Sequence, residues 1–535
     1  MARKYWLILL LVLLIATFFR FWKINILPPG LYPDEAINGN EALFRAGKIF
    51  YPENNGREGL FINLVFVSFS IFGPSILSLR IVSALIGTLT VLGLFLFTKE
   101  LFTFSNKKSP SPERIALLAS FFLSISFWHT NFSRIAFRGI LLPFVLAFSF
   151  YFLFRAFNDL KGSSLSKKTY LWAIFGGLFF GLGFYTYTPF RMAVLILPFV
   201  FLFGWLYFKQ QNLQKEFGKL VSLALFTIFL VALPLGIYFL YHPTEFLERA
   251  GPISIFSAQN PAQEFLRSLL AHLGMFNVYG DPNWRHNFSG SPQLFWPVGI
   301  LFLIGLFLTF KEIFKKTNYQ NKNYPLLTTS YLLSFTFLAM LLAGILTREG
   351  IPHALRTIGT TIPVYIFAGL GGWQIYQILT LSTKNKLLLK IAIFLFLVAL
   401  MLFQYNKYFV KWANKKEVKD AFSQNYVKMG EYLVNLKKGL SKYVIVNVSG
   451  VPVPYPNGIP MPAQTIMFIE NINPTKSKAI YILPQDLDKI EIKKPAKVLI
   501  MRPDQNLLSK LLNLFPQGNI EIEKGPIFIY NLPTP

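Results

Sequence analysis

The feature that most constrains this chain is the recurrence of apolar runs near 20 residues long. A helix that crosses a bilayer needs about 20 mostly apolar residues, and the first such run extends from about Trp6 to Trp22. Further runs lie near 79–103, 115–131, 139–157, 170–188, 189–208, 220–241, 294–310, 325–346, 358–380 and 386–404. The expected class is a polytopic α-helical membrane protein with about eleven transmembrane helices. Composition agrees, since 53% of the 535 residues are hydrophobic and only 14% charged, against roughly 25% charged in soluble domains. A string of soluble domains and a disordered chain are thereby excluded. Without a heptad or Gly-X-Y period, coiled coil and collagen are excluded too. Cysteine is absent, which removes disulfides and thiolate metal sites.

A net charge of +27 would suggest nucleic acid for a soluble protein, but here it has a topological use. Alternate loops carry Lys99/Lys107/Lys108/Arg114, Arg155/Lys161/Lys167/Lys168, Lys209/Lys215/Lys219, Lys311/Lys315/Lys316/Lys322 and Lys384/Lys386/Lys390. These five loops share a side with the N-terminus, which the positive-inside rule places in the cytoplasm. No nucleic-acid partner is implied. The first run follows Arg3 and Lys4 and ends in Phe18, Phe19, Phe21 and Trp22, without a small-residue cleavage site, so it reads as an uncleaved anchor. Arg20 and Lys23 at its outer end are expected to snorkel toward headgroups. The run Leu60–Phe72 is too short to cross and is assigned to the outer surface.

The outward segments are then a first loop, 24–78, turns around 132–138 and 188–191, a second long loop, 242–293, and 347–357. All five histidines, His129, His242, His272, His286 and His353, fall at or near that face. From about Tyr405 the pattern changes: β-rich runs at Tyr443–Val448, Ala479–Leu483, Lys497–Met501 and Ile527–Tyr530 alternate with helix-like Val418–Lys438 and Asn506–Leu514. The expected organisation is a membrane domain over 1–404 and an extracytoplasmic soluble α/β domain over 405–535. Neither an internal repeat nor a Gly-rich phosphate loop is present.

The strongest local signal is Leu-Pro-Pro-Gly-Leu-Tyr-Pro-Asp-Glu-Ala at 27–36. Two prolines and a glycine set a turn just outside the first span, and Asp34 and Glu35 follow. A carboxylate so placed can act as a general base; Asp34 after Pro33 also suits a helix N-cap. A second signal is the set of outward arginines Arg134, Arg138, Arg191, Arg285 and Arg356. Arginine near membrane depth faces a partner or an aqueous cavity, and guanidinium binds phosphate bidentately; the alternative is interfacial anchoring of helix ends. No His-Glu-x-x-His or other metal spacing occurs. A divalent ion is not required and not indicated, although Asp34 or Glu35 could bind one.

In this order the pieces resemble the GT-C superfamily of membrane glycosyltransferases, in its protein O-mannosyltransferase and aminoarabinose transferase branch. The resemblance covers roughly residues 1–405. It is most specific at Tyr-Pro-Asp-Glu-Ala (32–36), at Phe-Gly-Pro-Ser…Leu-Arg (72–80) and at Gly-Asp-Pro-Asn-Trp-Arg-His-Asn (280–287). It implies transfer of a sugar, with inversion, from a polyprenyl-phosphate donor to an acceptor hydroxyl on the outer face. Asp34 maps to the family's base, with Glu35 beside it. Arg57, Arg134, Arg138, Arg191, Arg285, His286, His353 and Arg356 are assigned to substrate binding, the arginines holding the donor phosphate. At 55–60, Asn-Gly-Arg-Glu-Gly-Leu replaces the Lys-Pro-Pro-Leu stretch of the aminoarabinose transferases, and the Trp-Trp-Asp-type motif of oligosaccharyltransferases is missing. The rival class is a lipid-linked sugar flippase or transporter, which places ionisable groups inside its spans. In this chain they gather at the outer rim.

Overall fold

The computed structural model describes residues 3–105, 111–162, 165–247, 251, 253–314, 324–454, 458–523 and 527–533. Lys107, Lys108, Lys315, Lys316 and Lys322 of the basic loops lie outside them. The chain opens with helix α1 (Arg3–Phe21), helix α2 (Pro33–Phe44) and the two-residue strands β1 (Phe50–Tyr51) and β2 (Arg57–Glu58). There follow α3 (Leu60–Phe72), α4 (Ile76–Phe104), α5 (Pro112–Ile125), α6 (Phe127–Phe132), α7 (Leu141–Gly162), α8 (Lys167–Gly183), α9 (Ile196–Gln210) and α10 (Gln214–Tyr241). Next come α11 (Pro243–Leu247), α12 (Pro261–Gly274), α13 (Trp296–Phe314), α14 (Tyr324–Ile345), α15 (Thr361–Ser382) and α16 (Lys386–Tyr405), which continues as a π-helical turn over Asn406–Trp412.

Among the described residues seven helical stretches are long and apolar enough to cross a membrane: Arg3–Phe21, Ile76–Phe104, Arg138–Gly162, Thr188–Gln210, Gln214–Tyr241, Trp296–Phe314 and Lys386–Trp412. The chain is thus a multi-pass membrane protein, with fewer full-length spans than the eleven or so counted by apolar runs. Much of the shortfall has a local cause. The 115–131 run breaks at Ser126, whose backbone leaves the helix and whose side chain accepts the His129 N–H, giving α5 and α6. Helix α8 has only 17 residues. In α15 the apolar run is diluted by Gly369, Gly371, Gly372, Gln374 and Gln377. Helix α3 has 13 residues, about 20 Å of rise against a hydrocarbon core of about 30 Å, in keeping with its assignment as a non-crossing segment.

The chain forms two compact units, one of Met1–Trp22, Glu58–Phe61 and Ser83–Trp412, the other of Lys23–Arg57, Ile62–Val82 and Ala413–Pro535. Most of the first outer loop, 24–78, thus falls in the same unit as the residues after 412. In the first unit, α13 and α15 meet backbone to backbone. Gly305 faces the Phe367 carbonyl and Gly371 the Leu301 carbonyl, so closely that a Cβ at either would collide with main chain. Helices in lipid associate through such small residues because lipid tails leave little hydrophobic drive between them.

The second unit adds α17 (Lys416–Ala421), α18 (Gln424–Asn435), α19 (Gln464–Asn471) and α20 (Gln505–Leu514), with strands β3 (Ser441–Ile445), β4 (Pro452–Val453), β5 (Ile459–Pro460), β6 (Ile480–Ile482), β7 (Ala496–Ile500), β8 (Asn519–Glu523) and β9 (Ile527–Leu532). The expected single helix over 418–438 is two, parted at Ser423, which has a φ of 53°. A five-stranded sheet runs β6-β3-β7-β9-β8; β3 is parallel to β6 and β7, and β9 is antiparallel to β7 and β8. Alternation along the strands supplies two cores. Val444, Leu499 and Ile529 pack with Leu433 of α18 and Ile466 of α19, while Tyr443, Val498 and Tyr530 pack with Leu507 and Leu511 of α20.

Helix α2 lies on α19, where Gly39 sits against the Phe468 ring. The Asn40 side-chain amide donates to the Gln464 carbonyl (3.1 Å) and to its Oε1 (2.8 Å), and Thr465 Oγ1 donates to the Leu31 carbonyl (3.0 Å).

The α13/α15 contact makes a prediction. Gly371→Val is expected to destabilise the solubilised protein by about 1–3 kcal/mol or more, the cost of overpacking. It would be read as a lower temperature at which the monodisperse chromatographic peak is lost. Gly236→Ala, at a position with open space around it, serves as the control and is expected to leave that temperature unchanged.

Candidate active site

Within the second unit the Asp-Glu pair opens α2, with Pro33 at the first helical position, where its fixed φ and missing N–H cost nothing. The cap falls to Glu35, not Asp34: the Tyr32 N–H donates to Glu35 Oε1 at 3.2 Å. Both carboxylates lie in the first helical turn, where the helix dipole favours negative charge. Their surroundings differ. Glu35 is fully buried and holds Arg80 through two bonds, Arg80 Nε to Oε2 (2.9 Å) and Nη2 to Oε1 (3.0 Å). The remaining Arg80 protons go to the carbonyls of Ile24 (3.4 Å), Pro28 (2.9 Å) and Gly30 (2.7 Å). All five guanidinium N–H groups are used, and the 24–30 turn, Glu35 and the start of α4 become one assembly. Gly30 has a φ of +86°, and a Cβ there would strike the Phe422 carbonyl, so the turn demands glycine.

Asp34 is half-buried, and its Oδ1 accepts a 2.6 Å hydrogen bond from the Asn54 amide. Asn54 sits in a run of three left-handed residues, Asn54, Asn55 and Gly56, with φ of 55°, 61° and 76°. Asparagine and glycine tolerate this backbone best. The 55–60 stretch also carries Arg57, which is buried and engaged with Glu41 Oε1 (2.6 Å), Asn38 Oδ1 (2.8 Å) and the Glu53 carbonyl (3.2 Å).

In the first unit several of the predicted arginines serve the fold. Arg134 is fully buried and donates to the carbonyls of Phe19 (3.0 Å), Arg20 (3.0 Å) and Trp22 (2.6 Å), closing the C-terminal end of α1. Arg20 does not snorkel as expected but turns inward. It donates to the Ser124 (3.0 Å) and Leu123 (3.4 Å) carbonyls at the end of α5 and to His129 Nδ1 (2.9 Å). Helix ends leave carbonyls without partners, and away from water a guanidinium can supply them. Arg138 Nε pairs with Glu58 Oε2 at 2.8 Å, and Thr188 Oγ1 donates to Glu58 Oε1. Arg191 lies over the Phe246 ring, 4.1 Å from its centroid, and donates to the Phe246 carbonyl.

The first unit also brings His353 to a pair that is local in sequence, Asp281 and His286. Asp281, His286 and His353 each offer a ligand atom within 4.8 Å of the others. Asp281 Oδ2 accepts from His286 Nδ1 (2.9 Å) and from the Ala354 N–H (2.8 Å), and Oδ1 accepts from the Asn283 N–H (2.8 Å). This assigns the His286 proton to Nδ1 and leaves Nε2 as an acceptor. One carboxylate with two imidazoles suits a divalent ion. The Asp281 oxygens are nonetheless already satisfied by N–H donors, so the cluster stands without one. Behind His353, His272 Nε2 accepts the His353 N–H (3.2 Å) while its Nδ1 donates to the Ser268 carbonyl (2.8 Å); burial lowers its pKa below the ordinary histidine value.

Arg285, beside His286, is lowered to about 10 by burial, and its carbonyl accepts from the Asn131 amide. Arg356 donates to Thr347 Oγ1 (2.8 Å) and to the Glu349 carbonyl (2.6 Å), and its N–H reaches His353 Nδ1 (3.3 Å). Sequence reasoning missed Arg80, Asp281 and Glu58. Arg80 and Asp281 do stand in the two motifs that carry the family resemblance, at 72–80 and 280–287.

A family model described as dolichyl-phosphate-mannose-protein mannosyltransferase matches residues 61–238. No curated protein matches the chain in sequence. Among solved structures, ArnT from Cupriavidus metallidurans bound to undecaprenyl phosphate is similar with a TM-score of 0.58 at 12% identity, over 99% of this chain and 98% of that one. Its apo form gives 0.54 at 13% identity, over the same shares. These likenesses show the fold. A polytopic helical region followed by a strand-containing C-terminal domain is the architecture this chain shares with both structures.

The five-donor use of Arg80 is testable. Arg80→Ala is expected to cost about 3–5 kcal/mol, as for other broken buried ion pairs. Arg80→Lys is expected to recover little of it, since an ammonium has three donors and no fork. Thermal unfolding of the full chain in detergent measures both; a lysine variant as stable as wild type would contradict the argument.

Proposed function

We infer that the protein is an inverting glycosyltransferase that moves a sugar from a polyprenyl-phosphate donor to an acceptor hydroxyl. The observation that carries this reading concerns the carboxylates of the first outer loop. Glu35, Glu41, Glu53 and Glu58 are all ion-paired, with Arg80, Arg57, Arg45 and Arg138. Among the described residues Asp34 has no cationic partner, only the neutral Asn54 amide. A half-buried carboxylate held by one neutral donor is not committed to a guanidinium, as the other four are, and can take the proton of an incoming hydroxyl.

In this reading Asp34 accepts the proton of the acceptor hydroxyl as that oxygen attacks the anomeric carbon. The bond to the donor phosphate breaks, and the phosphate leaves as an anion that needs no proton. Arg285 and His353 are assigned to the donor phosphate, where positive charge and an N–H donor stabilise what develops on the leaving oxygen, with His286 beside them donating to Asp281. Arg57, Arg134 and Arg138, already engaged with protein carbonyls and carboxylates, are assigned to holding the site's frame. Glu35 positions Arg80. The mannosyltransferase family model and the undecaprenyl phosphate carried by the ArnT structure support a polyprenyl-phosphate donor.

The topology proposed with this function counts α5 with α6, α8, α14 and α15 as crossings, giving about eleven. It places the N-terminus in the cytoplasm and the C-terminal domain outside.

Asp34→Asn preserves size and is expected to lower transfer from labelled polyprenyl-phosphate sugars, assayed in membranes, by roughly 10²–10⁴-fold, the usual share of a general base. Wild-type turnover in that variant would remove Asp34 from the role. For topology, Ser449→Cys in this cysteine-free chain puts a thiol at an exposed position. Labelling by an impermeant maleimide on intact cells is the expected result, and labelling only after permeabilisation would reverse the orientation.

A further inference from the structure

Helix α16 is held to the first unit chiefly near its end, where Leu400 and Gln404 are its only buried residues. Its first half stands off from the helices it faces and leaves a groove of about 980 Å³ lined by α1, α5, α13, α15 and α16. That volume lies at the upper end of the roughly 300–1,000 Å³ typical of small-molecule sites. Most of the wall is apolar, Leu118 and Phe122 of α5 and Ile393 and Phe396 of α16 among it.

One mouth of the groove is different. Lys4, Arg114 and Lys390 line it from the N-terminal ends of α1, α5 and α16. All three are exposed, and no carboxylate lines the groove. Arg114 lies 4.9 Å over the Trp373 ring and Lys4 Nζ is 5.1 Å from that of Tyr5, so aromatic faces hold two of the cations at the rim. Topology alone would scatter basic residues around helix ends; here three helices converge them on one opening. Along α5 the groove runs from Arg114 to Phe122, about 12 Å of rise, or nearly half of a hydrocarbon core of about 30 Å. That is the depth of a single leaflet.

We propose that this groove is a binding site for an anionic diacyl phospholipid, its acyl chains against α5 and α16 and its phosphate at Lys4, Arg114 and Lys390. Basic pockets between membrane helices bind such headgroups. Charge selects the anionic class over zwitterionic lipid, and one-leaflet depth selects two short chains over a long polyprenyl chain. The proposal rests on membrane embedding and is independent of the transferase activity.

Native mass spectrometry of the full-length protein in detergent tests it, with phosphatidylglycerol and phosphatidylcholine offered in equal amounts. One phosphatidylglycerol is expected to be retained in preference to phosphatidylcholine. The double variant Arg114→Gln/Lys390→Gln is expected to reduce its retention roughly 30-fold for two lost cations. Ala392→Trp, which fills the groove from α16, is expected to abolish retention without touching a charge. Lys209→Gln/Lys215→Gln, at exposed lysines elsewhere, is expected to change nothing. Equal retention of phosphatidylcholine, full retention in either groove variant, an equal loss in the Lys209/Lys215 control, or displacement by an equal amount of undecaprenyl phosphate would each overturn the proposal.

Discussion

A guanidinium taken out of water must have its N–H groups met by the protein, and that requirement organises both units of this chain. Arg20, Arg57, Arg80 and Arg134 are each at most 2% exposed. Two of them find partners at helix ends: Arg20, through both terminal nitrogens but not Nε, takes the last carbonyls of α5, and Arg134 takes those of α1. A single guanidinium and a helix C-terminus thus settle each other's polar groups where lipid cannot. Arg80 does the same for an irregular turn, and the acid it binds, Glu35, is the neighbour of Asp34. The charge density at the start of α2 is therefore divided. One carboxylate is consumed by structure, and that leaves the adjacent one chemically distinct.

Much of this was legible in the sequence, and the rest failed for identifiable reasons. The α3 segment could be set aside as a non-crossing helix by length, and Asp34 stood out because Pro33, Gly30 and the preceding prolines mark a turn. Arg80 was not legible as a site residue. It lies inside an apolar run, and nothing local connects it to Glu35. Arg134 was assigned to the donor phosphate and Arg20 to snorkelling, because a sequence shows that a charge exists but not which carbonyls it will meet. His286 and His353 carry no metal spacing between them; His286 stands five residues from Asp281, and the tertiary fold alone brings His353 to that pair. Hydropathy likewise separates membrane from water but does not show which aqueous segments pack together, so the grouping of most of the first outer loop with the C-terminal strands was not legible.

Within the C-terminal domain the errors were conformational. Strand β8 was missed because its apolar residues, Ile520 and Ile522, are exposed on an edge strand and interleave with glutamates. Helix α19 follows a proline-rich stretch, which hides its start, yet it carries the contacts to α2. The single helix read over 418–438 breaks at Ser423, where a left-handed φ is a feature that propensity does not foresee.

The contact between α2 and α19 has a consequence for how the molecule is made. Asn40 and Gln464 are 424 residues apart, and ribosomes add roughly 5–20 residues per second. The first outer loop therefore waits about 20–85 s, at that rate, before the helix that covers it has been synthesised. Throughout that interval Gly39, Asn40 and Leu31 lack the partners they have in the finished protein. The C-terminal segment is then the last structural part of the loop that begins at residue 23, and a ribosome stalled before residue 464 would leave a membrane-inserted chain whose candidate base stands on an unfinished support.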